Sequence, residues 1–207
     1  MSALWKELLV ELNAVGLERI ERGKGDPMEY HGLEPFINGF PDAPLAMLAS
    51  KVGREELTWL GQKGATPQQI ADAEQRLGFR FPDSYRDFLL ESNGFLVPGT
   101  YCCVLLPVEL VRKFGDDNAQ IVEMWADEHA KDSLLDVEDV THRMADAIQV
   151  TAEPWDFDWF VLFDPLGVSP KGEPWTVMYS RQGYHYEETF LDLIQELVSS
   201  YQASFSR

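Results

Sequence analysis

A chain of 207 residues with 45% hydrophobic and 12% aromatic content can bury a sizeable core, which argues against a disordered protein. Its formal net charge is -18, and residues 116–207 alone hold 19 acidic and 5 basic residues, a local balance of -14. A field of that sign repels nucleic acid and anionic membrane and steers a basic partner inward.

In chain order, the first stretch reads as an amphipathic helix with Leu4, Leu8, Leu12 and Val15 on one side. Glutamates interrupt its apolar run, which separates it from a secretory leader and points to a cytoplasmic protein. No apolar run reaches the ~18 to 20 residues that span a bilayer. Gly23 to Pro44 is rich in Gly and Pro and predicts a connecting loop. A helical turn is expected around Arg54-Glu55-Glu56. Thr66, Pro67 and Gln69 then form a capping-box start. Ile70, Ala73 and Leu77 recur at helical spacing, and Gly78 supplies a left-handed stop. A second helix begins at Pro82 with Tyr85, Phe88 and Leu89 as its buried stripe, and Asn93-Gly94 can end it.

Tyr101 to Leu106 predicts a buried strand, and Pro107 opens a helical segment through Leu110 and Val111. Asp116-Asp117-Asn118 starts a further helix carrying Ile121, Met124, Trp125 and His129. Ala147 to Val150 reads as a short strand. In Trp155 to Phe163 the residues alternate: Trp155, Phe157, Trp159, Val161 and Phe163 on one face, Asp156, Asp158, Phe160 and Leu162 on the other. Trp175 to Tyr179 is another strand, with Gln182-Gly183 in the turn after it. Thr189 caps a last helix bearing Phe190, Leu193, Ile194 and Leu197. Helices, then a strand series, then a helix make an α+β fold with a mostly antiparallel sheet packed against helices.

The motif from Trp59 to Phe95 carries a resemblance. Trp59-Leu60-Gly61, Gly64-Ala65-Thr66, Ile70, Ala73-Glu74, Leu77-Gly78, Phe81-Pro82, Ser84-Tyr85-Arg86, Phe88-Leu89 and Ser92-Asn93-Gly94-Phe95 resemble the SUKH superfamily. That group includes the yeast Smi/Knr cell-wall regulators and many bacterial toxin-immunity proteins. Leu105-Leu106-Pro107-Val108, Leu162-Phe163-Asp164-Pro165 and Thr189-Phe190-Leu191 look like its later strands and C-terminal helix. The resemblance implies a SUKH-like domain over residues 59–207, preceded by an N-terminal helix and extension over residues 1–58. It implies a binding fold with no shared catalytic motif.

The chemistry-bearing residues agree with that implication. His31, His129, His142 and His185 show no i, i+4 pair, and no cysteine lies near them, so no metal or other cofactor is expected. The adjacent Cys102 and Cys103 read as small strand residues, since neighbours bridge only under strain. Ser84 and Ser92 lack a G-x-S-x-G setting, and no glycine-rich phosphate loop occurs. Tyr85 is expected in the core, with Arg86 paired to Asp83 or Asp87. No catalytic residue is assigned.

Two acidic groups remain. Asp156 and Asp158 share a strand face. The simplest reading is a solvated face; a cation or acid/base pair and a partner contact are the alternatives. Asp127, Glu128, Asp132, Asp136, Glu138 and Asp139 form the densest acidic run, relieved only by Lys131. Such a run is either a solvated surface or a docking patch for a basic protein. The expected function is an immunity protein that occludes a cognate basic toxin, with a nuclease favoured by charge. Its expected partner-binding residues are Trp125, Asp127, Glu128, Asp132, Asp136, Asp156 and Asp158. The alternative is an intracellular scaffold or regulatory binding module. A hydrolase or metal enzyme using Asp156, Asp158 and a histidine is the minor third reading.

Overall fold

The computed structural model describes residues 3–23, 33–52, 54–97, 103–129, 143–152, 160–180 and 183–205. Its helices are α1 (Ala3–Arg22), α2 (Glu34–Gly39), α3 (Pro44–Ala49), α4 (Pro67–Leu77), α5 (Asp83–Glu91), α6 (Phe114–Asp117), α7 (Ala119–His129) and α8 (Phe190–Phe205). Its strands are β1 (Phe95–Val97), β2 (Cys103–Leu105), β3 (Arg112–Lys113), β4 (Ile148–Gln149), β5 (Phe160–Val168), β6 (Pro174–Ser180) and β7 (Gly183–Glu187). Every strand pairing is antiparallel, so the α+β architecture expected from the sequence is present.

The capped helix pair forms as its local chemistry dictates. Thr66 Oγ1 accepts the Gln69 N–H at 3.2 Å, while the Thr66 N–H donates to Gln69 Oε1 at 2.8 Å. Gly78 ends α4 at φ 63, a conformation that costs a residue with a Cβ. Gly64 serves a different need. A Cβ there would sit 2.0 Å from the Leu90 carbonyl oxygen, because this segment lies against the end of α5, where the Ala65 N–H donates to Leu89 O at 2.8 Å.

Strands β3 to β7 form a five-stranded sheet in sequence order, and β1 pairs with β2. The two join across β2 and the chain beyond β4, where Leu106 N–H donates to Val150 O and Ala152 N–H donates to Val104 O, both at 2.8 Å. Helices α1, α5 and α8 cover one face. There Trp5, Phe81, Tyr85, Phe88, Phe163 and Phe190 build an aromatic cluster, with Tyr85 and Phe190 centroids 4.9 Å apart. The same core includes Trp5 to Val52 as well as Leu60 to Tyr201.

Several local expectations are corrected. On α1 Leu4 is exposed, while Trp5 and Leu9 join Leu8, Leu12 and Val15 inside. The Gly/Pro-rich stretch contains α2, because Pro35 sits in the first turn, where its missing N–H costs nothing. The next segment gains a helix from Pro44, while the expected turn near residues 54–56 is present, with the Glu55 N–H donating to Lys51 O at 2.9 Å. Pro107 opens only a turn, and Arg112 and Lys113 then pair with β4. A fifth sheet strand, β7, begins at Gly183 itself, which pairs with Ser180 of β6. Arg86 pairs with Glu74 on the preceding helix, and Asp83 pairs instead with Arg80.

Candidate interaction surface

Strand β5 decides which surfaces are free. Val161 and Phe163 face the main core, as alternation requires. Phe160 and Leu162 face the other way, yet they are buried as well. They join Phe114, Ile121, Val122, Ala147 and Tyr179 in a second, smaller core beneath α6 and α7. Phe114 meets Phe160 edge-on at 5.0 Å. The expected solvated side of this strand is therefore a buried one at positions 160 and 162. Alternation holds from Phe160 to Phe163; what covers each face depends on a helix some forty residues earlier.

The covering segment is anchored by polar residues. Asn118 Nδ2 donates to Phe114 O and to Gln149 Oε1, both at 3.0 Å, and Gln149 Nε2 donates to Thr151 O at 2.8 Å. Both side chains are buried, and their mutual pairing offsets the cost of taking amides out of water. Helix α7 buries Ile121 and Val122 and turns Glu123 and Met124 to solvent.

Of the expected contact residues, Trp125, Asp127 and Glu128 lie on the last turns of α7. Asp127 follows the exposed Glu123 by four positions, so their Cα atoms lie on one side of the helix. Asp132, Asp136, Asp156 and Asp158 lie outside the described residues, as do Trp155, Trp159 and Cys102. Cys103 falls in β2, opposite Val97.

The far end of the β5–β6–β7 sheet carries apolar residues that are exposed among the described residues. Leu166, Val168 and Tyr186 are 66%, 67% and 44% exposed, and Trp175 packs edge-on against Tyr186 at 5.9 Å. The bulge that displays Leu166 follows from Pro165, which cannot donate to a ladder and sits where the β5–β6 register shifts. Buried Asp164 holds this bulge. Its Oδ1 accepts the Leu166 N–H at 3.0 Å, and its Oδ2 accepts the Arg143 guanidinium.

The turn between β5 and β6 also reaches the signature helices. Glu173 accepts the Ser84 N–H at 2.9 Å and the Ser84 hydroxyl at 2.5 Å, placing a carboxylate at the N-terminus of α5. Ser84 thus has a structural partner.

An acidic corner adjoins the apolar end. Glu187 on β7, Glu188 in the connection, and Asp192 and Glu196 on α8 gather there with His185 and Lys171. Lys171 Nζ pairs with Asp192 at 2.8 Å, and this contact raises the lysine pKa above its ordinary value. Neither the apolar end nor this corner was singled out from the sequence. The sequence signal for it is the alternating pattern Tyr184-His185-Tyr186-Glu187, which forms most of β7.

Residues 64–196 match the SMI1 / KNR4 family (SUKH-1). The chain belongs to that family. The match covers the capped helix pair, the whole five-stranded sheet and the start of α8; the smaller core lies wholly inside it, while α1 to α3 add to the main core from outside it. Over 40 residues, 19% of the chain, it is 48% identical to the uncharacterized protein YnaB of Bacillus subtilis (strain 168), and the matched stretch is 28% of that protein. Among the described residues, no helix of this SUKH-1 chain is long and apolar enough to cross a membrane.

Proposed function

We propose that this SUKH-1 protein is a cytoplasmic immunity protein that binds a cognate basic toxin and blocks it stoichiometrically, without turnover. The observation that carries the reading is the local balance of -14 over residues 116–207, set on a fold of the SUKH-1 family. A toxin that acts on a polyanion presents a basic cleft, and an acidic inhibitor docks there fast and mimics the substrate's charge. A nuclease is the toxin class that fits best.

The acidic run from Asp127 to Asp139 supplies partner choice in this reading, with Trp125, Asp127, Glu128, Asp132, Asp136, Asp156 and Asp158 as contact residues. Leu166, Val168 and Tyr186 add apolar area of the kind that anchors interfaces. Aromatic and apolar anchors hold a partner; the surrounding acids reject wrong ones.

The test is affinity capture from the native lysate with the full chain, followed by mass spectrometry and a salt titration. The expected result is one basic partner at unit stoichiometry, released as salt rises and lost when Asp127, Asp132 and Asp136 become Asn. Several weak partners would replace this reading with the scaffold. A tight partner indifferent to those substitutions and to Tyr186→Ser would overturn the assigned surface.

A further inference from the structure

We propose that His185, Glu187 and Glu196 form a binding site for a divalent transition-metal ion of the zinc class at the corner between β7 and α8. The site stands apart from the partner-binding reading, because it is defined by three ligand atoms and not by surface charge.

The geometry is that of a tripod. His185 and Glu187 are two positions apart on β7 and so leave the strand on one side. Glu196 comes from α8, across the short Glu188-Thr189 connection. His185 Nε2 lies 2.7 Å from Glu187 Oε1 and 3.5 Å from Glu196 Oε2, and one ligand atom from each residue falls within 4.8 Å of the other two. At zinc–nitrogen and zinc–oxygen bonds of ~2.0 to 2.2 Å, a tetrahedral ion puts neighbouring ligands roughly 3.3 to 3.6 Å apart. The His185–Glu196 separation already falls there and the His185–Glu187 pair is closer, so small side-chain adjustments bring all three onto one ion.

The backbone that carries them is held rigidly. Strand β7 is in register with β6 from Ser180↔Gly183 to Thr176↔Glu187. Helix α8 is fixed by Phe190, Leu193, Ile194 and Leu197 in the main core. Its first turn is closed by Thr189 and Asp192, and Lys171 ties that turn to the β5–β6 connection. Ligands on such elements need little ordering on binding.

No lysine or arginine among the described residues pairs with Glu187 or Glu196; both carboxylates pair with the His185 imidazole. A divalent ion takes the proton's place between that imidazole and the two carboxylates. His185 and Glu196 are about half exposed, at 52% and 49% of their side chains, so the ion has an open path and free positions for water. An imidazole ligand favours zinc, cobalt or nickel over magnesium and calcium.

The test is calorimetric titration of the chelator-stripped full chain with Zn2+ alone, repeated with Co2+ and its visible absorption. One ion per chain is expected, with binding weakened ~10-fold or more in both His185→Gln and Glu196→Gln. Magnesium should not compete. Both substitutions fall on half-exposed side chains, and a thermal melt verifies that each variant is folded. No Zn2+ or Co2+ uptake would overturn the site. Uptake with unchanged affinity in both variants would overturn it equally, by placing the ion elsewhere.

Discussion

The indole of Trp5 stacks on the ring of Phe190, with centroids 6.0 Å apart and planes 27° from parallel. This contact joins the first helix of the chain to the last. Trp5 also meets Phe88 of the signature helix at 5.7 Å and is only 2% exposed. Asn13, one face further along α1, accepts the Leu60 N–H at 2.9 Å and donates to Thr58 O at 3.1 Å. The opening helix is thus bound to the segment where the family signature starts.

Trp5→Ala should therefore destabilise the protein by about 3 to 5 kcal/mol, the range for losing a large buried aromatic. Urea unfolding followed by circular dichroism measures it. A chain begun at residue 59 should lose cooperative unfolding, because Phe88 and Phe190 would face water. Retention of a sharp transition in that shortened chain would show α1 to be dispensable.

Glu74 is the second point of leverage. Both its oxygens accept Arg86 Nη1, at 2.5 and 2.6 Å, and Oε1 also accepts the Phe81 N–H at 2.9 Å. One side chain thereby holds α4, the connecting segment and α5 together. Glu74→Ala should cost about 2 kcal/mol, in the range for hydrogen bonds to charged groups. Asp83→Ala removes the pair with Arg80, whose side chains are 76% and 75% exposed, and should cost less than ~1 kcal/mol. Equal losses in the two variants would contradict this ordering.

Tyr85 offers a gain. Its ring is fully buried in the aromatic cluster, and its hydroxyl has no hydrogen-bond partner among the described residues. Burial, with a smaller effect of Glu109, raises its pKa far above the ordinary phenol value. Tyr85→Phe keeps the packing and removes an uncompensated hydroxyl, so stability should rise by up to about 1 kcal/mol. A lower melting temperature in this variant would show that the hydroxyl is satisfied.

Asp192 links stability to pH. Burial pushes its carboxyl upward, but hydrogen bonds from Lys171 and Thr189 outweigh this and leave it below the ordinary 3.8. A depressed folded pKa means that stability is present above the unfolded pKa and is lost as pH falls through the folded one. The melting-temperature gap between the native chain and Asp192→Asn should be full at pH 6 and shrink below about pH 4. Thr189→Ala removes the hydroxyl that accepts the Asp192 N–H at 3.1 Å and should cost about 1 kcal/mol. A gap that widens toward low pH would reverse the assigned sign.

Much of this fold was legible from short windows of chain. The Thr66–Gln69 box, the Gly78 stop, the Tyr85–Phe88–Leu89 stripe and the Thr189 cap each depend on residues within about one or two helical turns. Their partners are therefore specified by spacing alone. The family resemblance rests on the same local features. The burial of both sides of β5 was not legible, because Phe160 and Leu162 are covered by Phe114 and Ile121, and nothing in an alternating strand states what lies above it. Of the expected partner surface, the sequence supplies the acidic run and its density. The described structure places only Trp125, Asp127 and Glu128 on an element, the end of α7.

By itself, the sequence determined the capped helix pair, the antiparallel α+β class, the family and the sign of the net charge. These are properties of neighbouring residues or of a summed charge, and neither needs a folded chain to be evaluated. Only the tertiary structure decided that Trp5 meets Phe190, that Arg86 chooses Glu74 over nearer carboxylates, and that Glu196 converges on His185 and Glu187. Each of these depends on elements being brought together by core packing and strand register, and distance along the chain carries no information about that.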